Sequence, residues 1–371
     1  MSTDAPIPSP RDIDTSQRPF VLIWEVTQAC ELACDHCRAD AKPSRHPDEL
    51  PTAEGRRLLD SAAEFGDGQL VVLSGGDPMK RDDLVELVRY GTEQGLRMTL
   101  TPSGTEALTP DNIAALADAG LQRMALSVDA PATAHDRFRG EAGSFERTRE
   151  AAEAARDAGI PLQINTTVCA ATVDTLPAVR EFVADVGAVL WSVFFLVPVG
   201  RGQILDPIQP ERAESVLEWL QDVSEAAPFG VKTTEAPHYR RVALQRNGSA
   251  TDAPDADAIG RRGGIIAGDG FAFVSHTGEL FPSGFLPKSA GNVTDCDLVS
   301  LYQDSALFES LRDRDRLKGK CGACEFRHVC GGSRSRAYAV TGDPLASDPL
   351  CAYRPSGYDG PLPDRQAAAD R

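Results

Sequence analysis

The sequence has no long hydrophobic run. No stretch of its 371 residues approaches the roughly 18 to 20 apolar residues that a membrane-spanning helix requires. Its first six residues, Met1 to Pro6, are polar and lack the basic and apolar regions of a signal peptide. We therefore expect a soluble, cytoplasmic protein with no membrane partner.

Lysine is scarce. Only six of the 38 basic residues are lysine, and 55 acidic residues give a net charge of −17. A nucleic-acid surface needs a basic patch or stripe, and the sequence contains none, so we expect no nucleic-acid partner. Excess acid with few lysines resembles the proteins of salt-loving microbes, in which salt screens the self-repulsion. An anionic substrate would have to be bound by local arginines.

The nine cysteines are an odd number and are clustered at short spacings. This pattern favours metal ligation in a reducing compartment over a disulfide framework. The length of the chain and its hydrophobic content of 42% allow a full-sized core and favour two domains.

Short apolar runs alternate with amphipathic segments from residue 19 to about residue 228. The runs predict strands at 20–26, 69–74, 97–101, 122–128, 161–168 and 190–197. The segments between them predict helices at 52–65, 81–94, 110–119, 145–158 and 177–186, the first with Thr52 as its N-cap. Such alternation implies parallel pairing, hence an α/β fold with a partial or complete (βα)6 barrel. Barrels of this kind carry their active sites at the carboxyl ends of the strands.

The alternation is expected to stop at residue 228. Residues 1–18 predict a flexible arm and residues 356–371 a flexible tail. Residues 229–264 predict a bridging segment that includes a linker over 247–264. In a small carboxy-terminal domain over 265–355, we expect a β-hairpin formed by 270–275 and 279–282 and a short helix at 301–311.

Three thiols follow the first predicted strand at the spacing C-x3-C-x2-C, namely Cys30, Cys34 and Cys37. Soft thiolates suit zinc and iron–sulfur clusters, and a four-iron cluster held by three cysteines leaves one iron open for chemistry. The alternatives are an incomplete zinc site or three buried cysteines.

Polar groups follow the carboxyl ends of other predicted strands. The turn Gly75-Gly76-Asp77-Pro78 lets the backbone approach a ligand closely. Ser127 and Asp129 end the fourth strand, and Asn165 lies on the fifth. Each of these groups is also explained as an ordinary cap or turn residue.

A second set of four cysteines lies near the carboxyl end of the chain: Cys321, Cys324, Cys330 and Cys351. Four thiolates make a closed site, which suits zinc and an iron–sulfur cluster equally well. Cys169 and Cys296 are left over, and we expect both to be buried and unreactive.

The cysteine triplet together with the Gly-Gly-Asp-Pro turn resembles the radical S-adenosylmethionine (SAM) superfamily. The resemblance implies a [4Fe–4S] cluster on Cys30, Cys34 and Cys37 that binds and cleaves SAM to a 5′-deoxyadenosyl radical. It implies that Gly75, Gly76 and Asp77 contact the amino group of SAM. It also implies roles in binding the ribose and carboxylate of SAM for further residues: Ser127, Asp129, Asn165, and Arg139 or Arg137 in the loop 135–140. His36 stands where the family usually has an aromatic residue beside the adenine.

The second cysteine set resembles the auxiliary [4Fe–4S] domain of the SPASM and twitch subgroup. A full SPASM domain has a cysteine near Ser283, so one auxiliary cluster is expected, giving two clusters in all. An electron donor such as ferredoxin or flavodoxin is implied.

The segments 191–202 and 281–287 resemble enzymes that remodel tetrapyrrole side chains in heme biosynthesis. The implied reaction is oxidative decarboxylation of iron-coproporphyrin III, or of an earlier siroheme-derived intermediate. Arginines are the candidates for binding the substrate carboxylates: Arg201, Arg240, Arg241, Arg334 and Arg336. The alternatives are a maturase of a ribosomally made peptide and a non-enzymatic iron–sulfur or zinc scaffold.

Overall fold

The computed structural model describes residues 13–246 and 265–361. In these residues the strands form one sheet in the order β10-β9-β1-β2-β3-β4-β5-β6-β7, with β8 paired to β9. The strands are β1 (Val21–Thr27), β2 (Leu70–Gly75), β3 (Arg97–Leu100), β4 (Arg123–Ser127), β5 (Leu162–Val168), β6 (Leu190–Phe195), β7 (Gly230–Thr234), β8 (Ile266–Ala267), β9 (Gly270–Val274) and β10 (Leu280–Phe281).

Helices follow most of the strands. They are α1 (Thr52–Ala63), α2 (Leu84–Glu93), α3 (Pro110–Asp118), α4 (Ala132–Arg139), α5 (Ser144–Asp157), α6 (Leu176–Asp185), α7 (Pro210–Ala226), α8 (His238–Arg246), α9 (Leu298–Asp304), α10 (Ala306–Arg312), α11 (Gly319–Gly322) and α12 (Arg334–Thr341). In the described ranges no helix combines the length and the apolar character needed to cross a bilayer.

Neighbouring strands from β1 to β7 are all parallel, so the predicted α/β half-barrel is confirmed. Because successive side chains of a strand point to opposite faces, each strand supplies one set to the helices and one to the inside of the curved sheet. The outer set forms the core, and its completely buried members include Trp24, Leu73, Met98, Leu126 and Trp191. The inner set is therefore free to surround a cavity.

The alternation continues past residue 228, where the sequence predicts that it stops. Strand β7 pairs in parallel with β6, and α8 follows it. Strand β7 has the sequence Gly-Val-Lys-Thr-Thr and none of its residues is fully buried, so no hydrophobic pattern marks it. The predicted hairpin is confirmed as β9 and β10, and β9 also pairs in parallel with β1. The hairpin thus extends the same sheet.

The predicted flexible arm over 1–18 is wrong for its last residues. Ile13 is buried, and Tyr302 Oη donates to the carbonyl of Thr15 at 2.7 Å. Residues 1–12, the predicted linker 247–264, and 362–371 of the predicted tail lie outside the described residues.

Three local predictions are also wrong. Thr52 is the first residue of α1 rather than its N-cap, and its hydroxyl donates to Asp83 at 2.7 Å. The helix predicted at 301–311 is two helices, α9 and α10, because Ser305 breaks the first and caps the second. The loop expected at 135–140 is the end of α4, closed by Gly140 in the left-handed conformation.

Candidate functional site

The loop after β1 brings three thiols to the carboxyl end of the sheet. Cys30, Cys34 and Cys37 all line one large cavity. The backbone amide of Leu32 donates to Cys30 Sγ at 3.4 Å, and that of Ala41 donates to Cys37 Sγ at 3.5 Å. Amide groups directed at sulfur stabilise thiolate ligands of a metal centre.

Arg201 holds this loop from a distant part of the chain. Its Nε donates to the carbonyl of Cys34 at 2.9 Å and its Nη1 to the carbonyl of Ala41 at 3.2 Å. The sequence offers Arg201 as a ligand for a substrate carboxylate. The structure instead places these donors on the backbone of the cysteine loop.

The Gly75-Gly76 turn lies against the segment that precedes Cys30. A Cβ atom on Gly75 would come within 2.3 Å of the carbonyl oxygen of Thr27, and one on Gly76 within 2.3 Å of that of Ala29. Both glycines also line the cavity. The absence of side chains therefore lets two loops meet and leaves backbone groups in the cavity wall.

Asp77 is completely buried and faces its own turn and the loop that follows β3. Its carboxylate accepts hydrogen bonds from Thr105 Oγ1 at 2.6 Å, the amide of Met79 at 3.2 Å and the amide of Ser103 at 3.3 Å. Burial raises the pKa of Asp77, although these hydrogen bonds oppose the shift. In this structure the carboxylate shapes the turn, and the glycine backbone faces the cavity.

Ser127 and Asn165 are neighbours on β4 and β5, paired in register. Both line the cavity, and Asn165 Oδ1 accepts a hydrogen bond from Gln163 Nε2 at 2.7 Å. They place a hydroxyl and an amide side by side, opposite the cysteine loop.

Arg139, in the last turn of α4, links the cysteine loop to a buried carboxylate. Its Nε and Nη2 lie 2.8 Å and 2.6 Å from Asp129 Oδ2, and its Nη1 lies 3.9 Å from Cys34 Sγ. Burial raises the pKa of Asp129, but the charge of Arg139 outweighs burial and lowers it to about 2. Asp129 thus positions Arg139, which lines the cavity, while Arg137 is exposed.

His36 lies in the cavity wall beside the cysteines. Its ring stacks on Phe138 with a centroid distance of 4.5 Å and an interplanar angle of 9°. Burial lowers the pKa of His36 to about 3, so the ring is neutral, and its buried Nδ1 has no hydrogen-bond partner among the described residues. A neutral, supported ring of this kind is a flat surface on which an aromatic ligand can stack.

The cavity has a volume of about 1320 Å³ and extends along the inner faces of β1 to β7. Sites for single small ligands occupy roughly 300 to 1,000 Å³. The volume therefore accommodates two organic ligands that both reach the cysteine loop.

The buried thiols of the triplet fit a metal cluster. Burial raises the pKa of Cys30 to about 11, and burial also raises the pKa of Cys34 despite the charge of Arg139. Metal binding would replace those protons, because the ligand is the thiolate.

The second set of cysteines converges from three separate segments. Cys321, Cys324, Cys330 and Cys351 line one small cavity of about 20 Å³. Burial raises the pKa of Cys324 to about 12 and that of Cys330 to about 11. Arg334 Nη2 lies 3.8 Å from Cys321 Sγ. Two buried and two half-buried thiols beside a buried cation fit a closed, negatively charged cluster.

Three of the candidate substrate-binding arginines are used elsewhere. Arg334 Nη1 donates to the carbonyls of Pro344 and Ala346 at 2.7 Å and 2.8 Å, and Arg241 Nη1 donates to Glu214 Oε1 at 2.7 Å. Arg241 also lines the small cavity of the second cysteine set. Arg336 is bound to backbone carbonyls and to Asp348. Arg240 alone of this group lines the large cavity.

Arg336 ties the second cysteine region to the end of β6. Its Nε donates to the carbonyl of Leu196 at 3.1 Å, and its Nη2 donates to the carbonyls of Phe195 and Glu235 at 3.0 Å and 2.8 Å. Its Nη1 lies 3.1 Å from Asp348 Oδ2. One side chain thus connects the carboxyl ends of two strands with the segment that carries the last cysteine.

Sequence reasoning missed five charged residues that line the cavity: Arg38, Arg97, Arg123, Lys232 and Glu235. The strand period offered a signal for Arg123, which lies four residues before Ser127 and hence on the same face of β4. No signal marked Glu235, whose carboxylate accepts hydrogen bonds from Ser283 Oγ at 3.2 Å and Ser335 Oγ at 2.8 Å.

The two remaining cysteines differ from each other. Cys169 is completely buried, as expected, and packs with Phe138 and Leu196. Cys296 is exposed, so the expectation that it is buried is wrong.

Comparison with known proteins gives both a family and close relatives. Residues 24–183 match the family described as the radical SAM superfamily. The AdoMet-dependent heme synthase of Methanosarcina barkeri is 41% identical over 347 residues, which cover 92% of this chain and 99% of that protein. The AdoMet-dependent heme synthase of Nitratidesulfovibrio vulgaris is 39% identical over 355 residues, with coverage of 93% and 96%.

A solved structure shares the fold. Streptococcus suis SuiB bound to precursor peptide SuiA matches with a TM-score of 0.70 and 18% identity, covering 91% of this chain and 76% of SuiB.

Proposed function

Because the chain belongs to the radical SAM superfamily and is therefore an enzyme, we propose that it decarboxylates side chains of a tetrapyrrole and converts iron-coproporphyrin III to heme. The relatives named AdoMet-dependent heme synthase support this proposal because they match along nearly the whole chain. The structural observation that carries it is the cavity of about 1320 Å³, which reaches the three thiols of the cysteine loop and has room for SAM and a second large ligand.

The chain's own residues fit the binding of a cluster and SAM. Cys30, Cys34 and Cys37 would hold a [4Fe–4S] cluster with one iron free of protein ligands. When bound, the cluster and SAM supply a radical that abstracts hydrogen from an unactivated carbon. The ring of His36 offers a stacking surface for the adenine, and Arg139 provides a fixed cation beside Cys34.

Backbone and polar side chains complete the proposed SAM site. The backbone of the Gly75-Gly76 turn lies next to Cys30, and Ser127 and Asn165 supply a hydroxyl and an amide from the sheet. These backbone and side-chain groups are uncharged, and they orient a polar ligand through hydrogen bonds.

The substrate reaction balances for each propionate side chain. The β-carbon loses one hydrogen atom, the carboxyl group leaves as CO2, and one electron leaves, so that a vinyl group remains. The apolar inner faces of β1 and β9 exclude water and competing hydrogen donors from this step.

We also propose that Cys321, Cys324, Cys330 and Cys351 would hold a second [4Fe–4S] cluster, which would supply an acceptor for the departing electron. The convergence of the four thiols on one cavity supports this role, as does the contact of Arg334 with Cys321. A ferredoxin or a flavodoxin is the proposed external donor.

The test is an anaerobic assay. The clusters are reconstituted with iron and sulfide, and SAM and dithionite are added with iron-coproporphyrin III. Mass spectrometry should show loss of two carboxyl groups with one 5′-deoxyadenosine formed for each.

The other outcomes separate the alternatives. If SAM is cleaved and the porphyrin is untouched, earlier siroheme-derived tetrapyrroles and then precursor peptides become the substrates to test. If no 5′-deoxyadenosine forms under any condition, the proposed radical chemistry is wrong.

A further inference from the structure

Three basic side chains enter the cavity from the strands. Arg97 begins β3, Arg123 begins β4 and Lys232 lies within β7. Thr99 of β3 is paired with Arg123 of β4, and Arg97 is two residues before Thr99, so these side chains share the inner face. All three basic residues line the cavity. Arg97 and Arg123 are half-buried, and Lys232 keeps an accessible side chain although protein atoms surround it.

None of the three forms an ion pair with a carboxylate in the part of the chain that the structure describes. The Nε of Arg123 is buried and lacks a hydrogen-bond partner among those residues. Burial lowers the pKa of Lys232 to about 8, and the charge of Arg123 contributes to that shift. Burial and the charge of Arg123 also lower the pKa of Arg97.

A cation that is partly removed from bulk water and has no partner is costly in a folded protein, and Arg97 and Arg123 are half-buried. Elsewhere among the described residues, arginines with little exposure are held by carboxylates, as Arg81 is by Asp83, Arg139 by Asp129 and Arg314 by Asp269. Arg334 is held by backbone carbonyls instead. Cations that the fold leaves unpaired in a cavity of this size point to an anion that arrives with the ligand.

We propose that Arg97, Arg123 and Lys232 form a carboxylate-binding subsite that anchors the non-reacting carboxylates of the tetrapyrrole. This inference rests on the proposed function, since it assigns part of the same substrate. Guanidinium groups pair with carboxylates in a bidentate manner, and an ammonium adds a point charge.

The position of the subsite fits an anchoring role rather than a catalytic one. Four residues of β4 separate Arg123 from Ser127, which is about 13 Å of extended strand. Carboxylates held by Arg97 and Arg123, which begin their strands, are thus kept away from the cysteine loop, and Lys232 approaches the ligand from the middle of β7. The opposite edge of the same ligand is directed toward the cysteines.

The test is a binding titration on the reconstituted protein, followed by absorbance. The probes are iron-coproporphyrin III and its tetramethyl ester, which lacks carboxylates. The proteins are the wild type, Arg123→Gln, Lys232→Met, and Arg156→Gln as a control that removes one exposed positive charge.

Arg123→Gln and Lys232→Met should each weaken binding of the free acid roughly 10- to 100-fold, as expected for loss of a charge-assisted hydrogen bond. Binding of the ester should be unchanged by either substitution. Lys232→Arg should restore most of the affinity. Both weakened variants should unfold at about the same temperature as the wild type, because neither substitution breaks an ion pair among the described residues.

Several results would overturn the inference. These are unchanged affinity for the free acid, an equal loss for the ester, or a wild type that binds acid and ester equally. A lower unfolding temperature together with weakened binding of both probes would indicate a structural role.

Failure of this inference and failure of the proposed function are distinguishable. A wild type that decarboxylates the porphyrin while both variants retain full affinity refutes only the subsite. A wild type that binds the acid through these residues but leaves it intact refutes only the proposed reaction.

Discussion

Replacing Arg336 with methionine should destabilise the protein, because the change removes one member of a buried ion pair. Arg336 is 2% exposed and Asp348 is completely buried, with Nη1 3.1 Å from Oδ2. Burial raises the pKa of Asp348, but the charges of Arg336 and His238 outweigh it and hold that pKa well below its ordinary value. At neutral pH the variant therefore keeps the buried carboxylate of Asp348, whose charge is then offset by His238 without Arg336.

The expected loss is about 3 kcal/mol. Breaking a buried pair by removing one partner costs about 3 to 5 kcal/mol. His238 remains, with Nε2 3.2 Å from Asp348 Oδ2. Although burial lowers its pKa, Asp348 raises it to about 9, so this imidazolium compensates part of the charge and the lower end of the range applies. The three backbone carbonyls that Arg336 serves each lose a donor, which increases the loss.

The measurement is urea unfolding followed by fluorescence of the three tryptophans, which include the buried Trp191 of β6. The urea concentration at the unfolding midpoint should fall, while the dependence of the unfolding free energy on urea concentration stays constant. Arg149→Met, at an exposed ion pair, is the matched control and should leave the midpoint unchanged. The double variant Arg336→Met with Asp348→Leu should recover most of the stability, since neither charge remains. A loss below about 1 kcal/mol in the single variant would refute the assignment of Arg336 as half of a buried ion pair.

Three further predictions concern the sites. Gly76→Ala should reduce iron at the first site and abolish SAM cleavage while the second site keeps its iron, because the new Cβ would lie 2.3 Å from the carbonyl oxygen of Ala29; full iron content would contradict this. Affinity for iron-coproporphyrin III should fall as the pH rises through about 8, where Lys232 loses its proton, and Lys232→Arg should remove that dependence in the same titration. Cys351→Ala should lower iron and sulfide to about half by chemical analysis, since it removes one ligand of the proposed second cluster, and an unchanged eight-iron content would show that Cys351 is not a ligand.

The chain's local pattern was enough to predict its class of fold. Alternating apolar runs and amphipathic segments predict parallel β–α units, because hydrophobic period and strand length are local properties. The spacing of Cys30, Cys34 and Cys37 likewise needs only eight consecutive residues. Strand β7 was not predicted because its five residues have no apolar pattern. Its position is determined by its pairing with β6.

The tertiary structure alone decided which side chains face which site. Cys351 and Cys321 are 30 residues apart in sequence and line the same cavity only in the folded chain. From the sequence, their convergence could be inferred only by resemblance to a known family. Arg201 and Arg336 are bound to backbone carbonyls in distant segments, so their partners cannot be read from their neighbours in sequence.

The absence of ion-pair partners for Arg97, Arg123 and Lys232 among the described residues likewise could not be predicted from neighbours in sequence. The period of a strand indicates that Arg123 shares a face with Ser127, but not whether a carboxylate meets it from another strand. That outcome depends on the register and curvature of the whole sheet. The sequence by itself determined the chemistry of the cysteines and the alternation of the barrel. Folding determined which charges were left without partners, because electrostatic pairing depends on distance in space rather than along the chain.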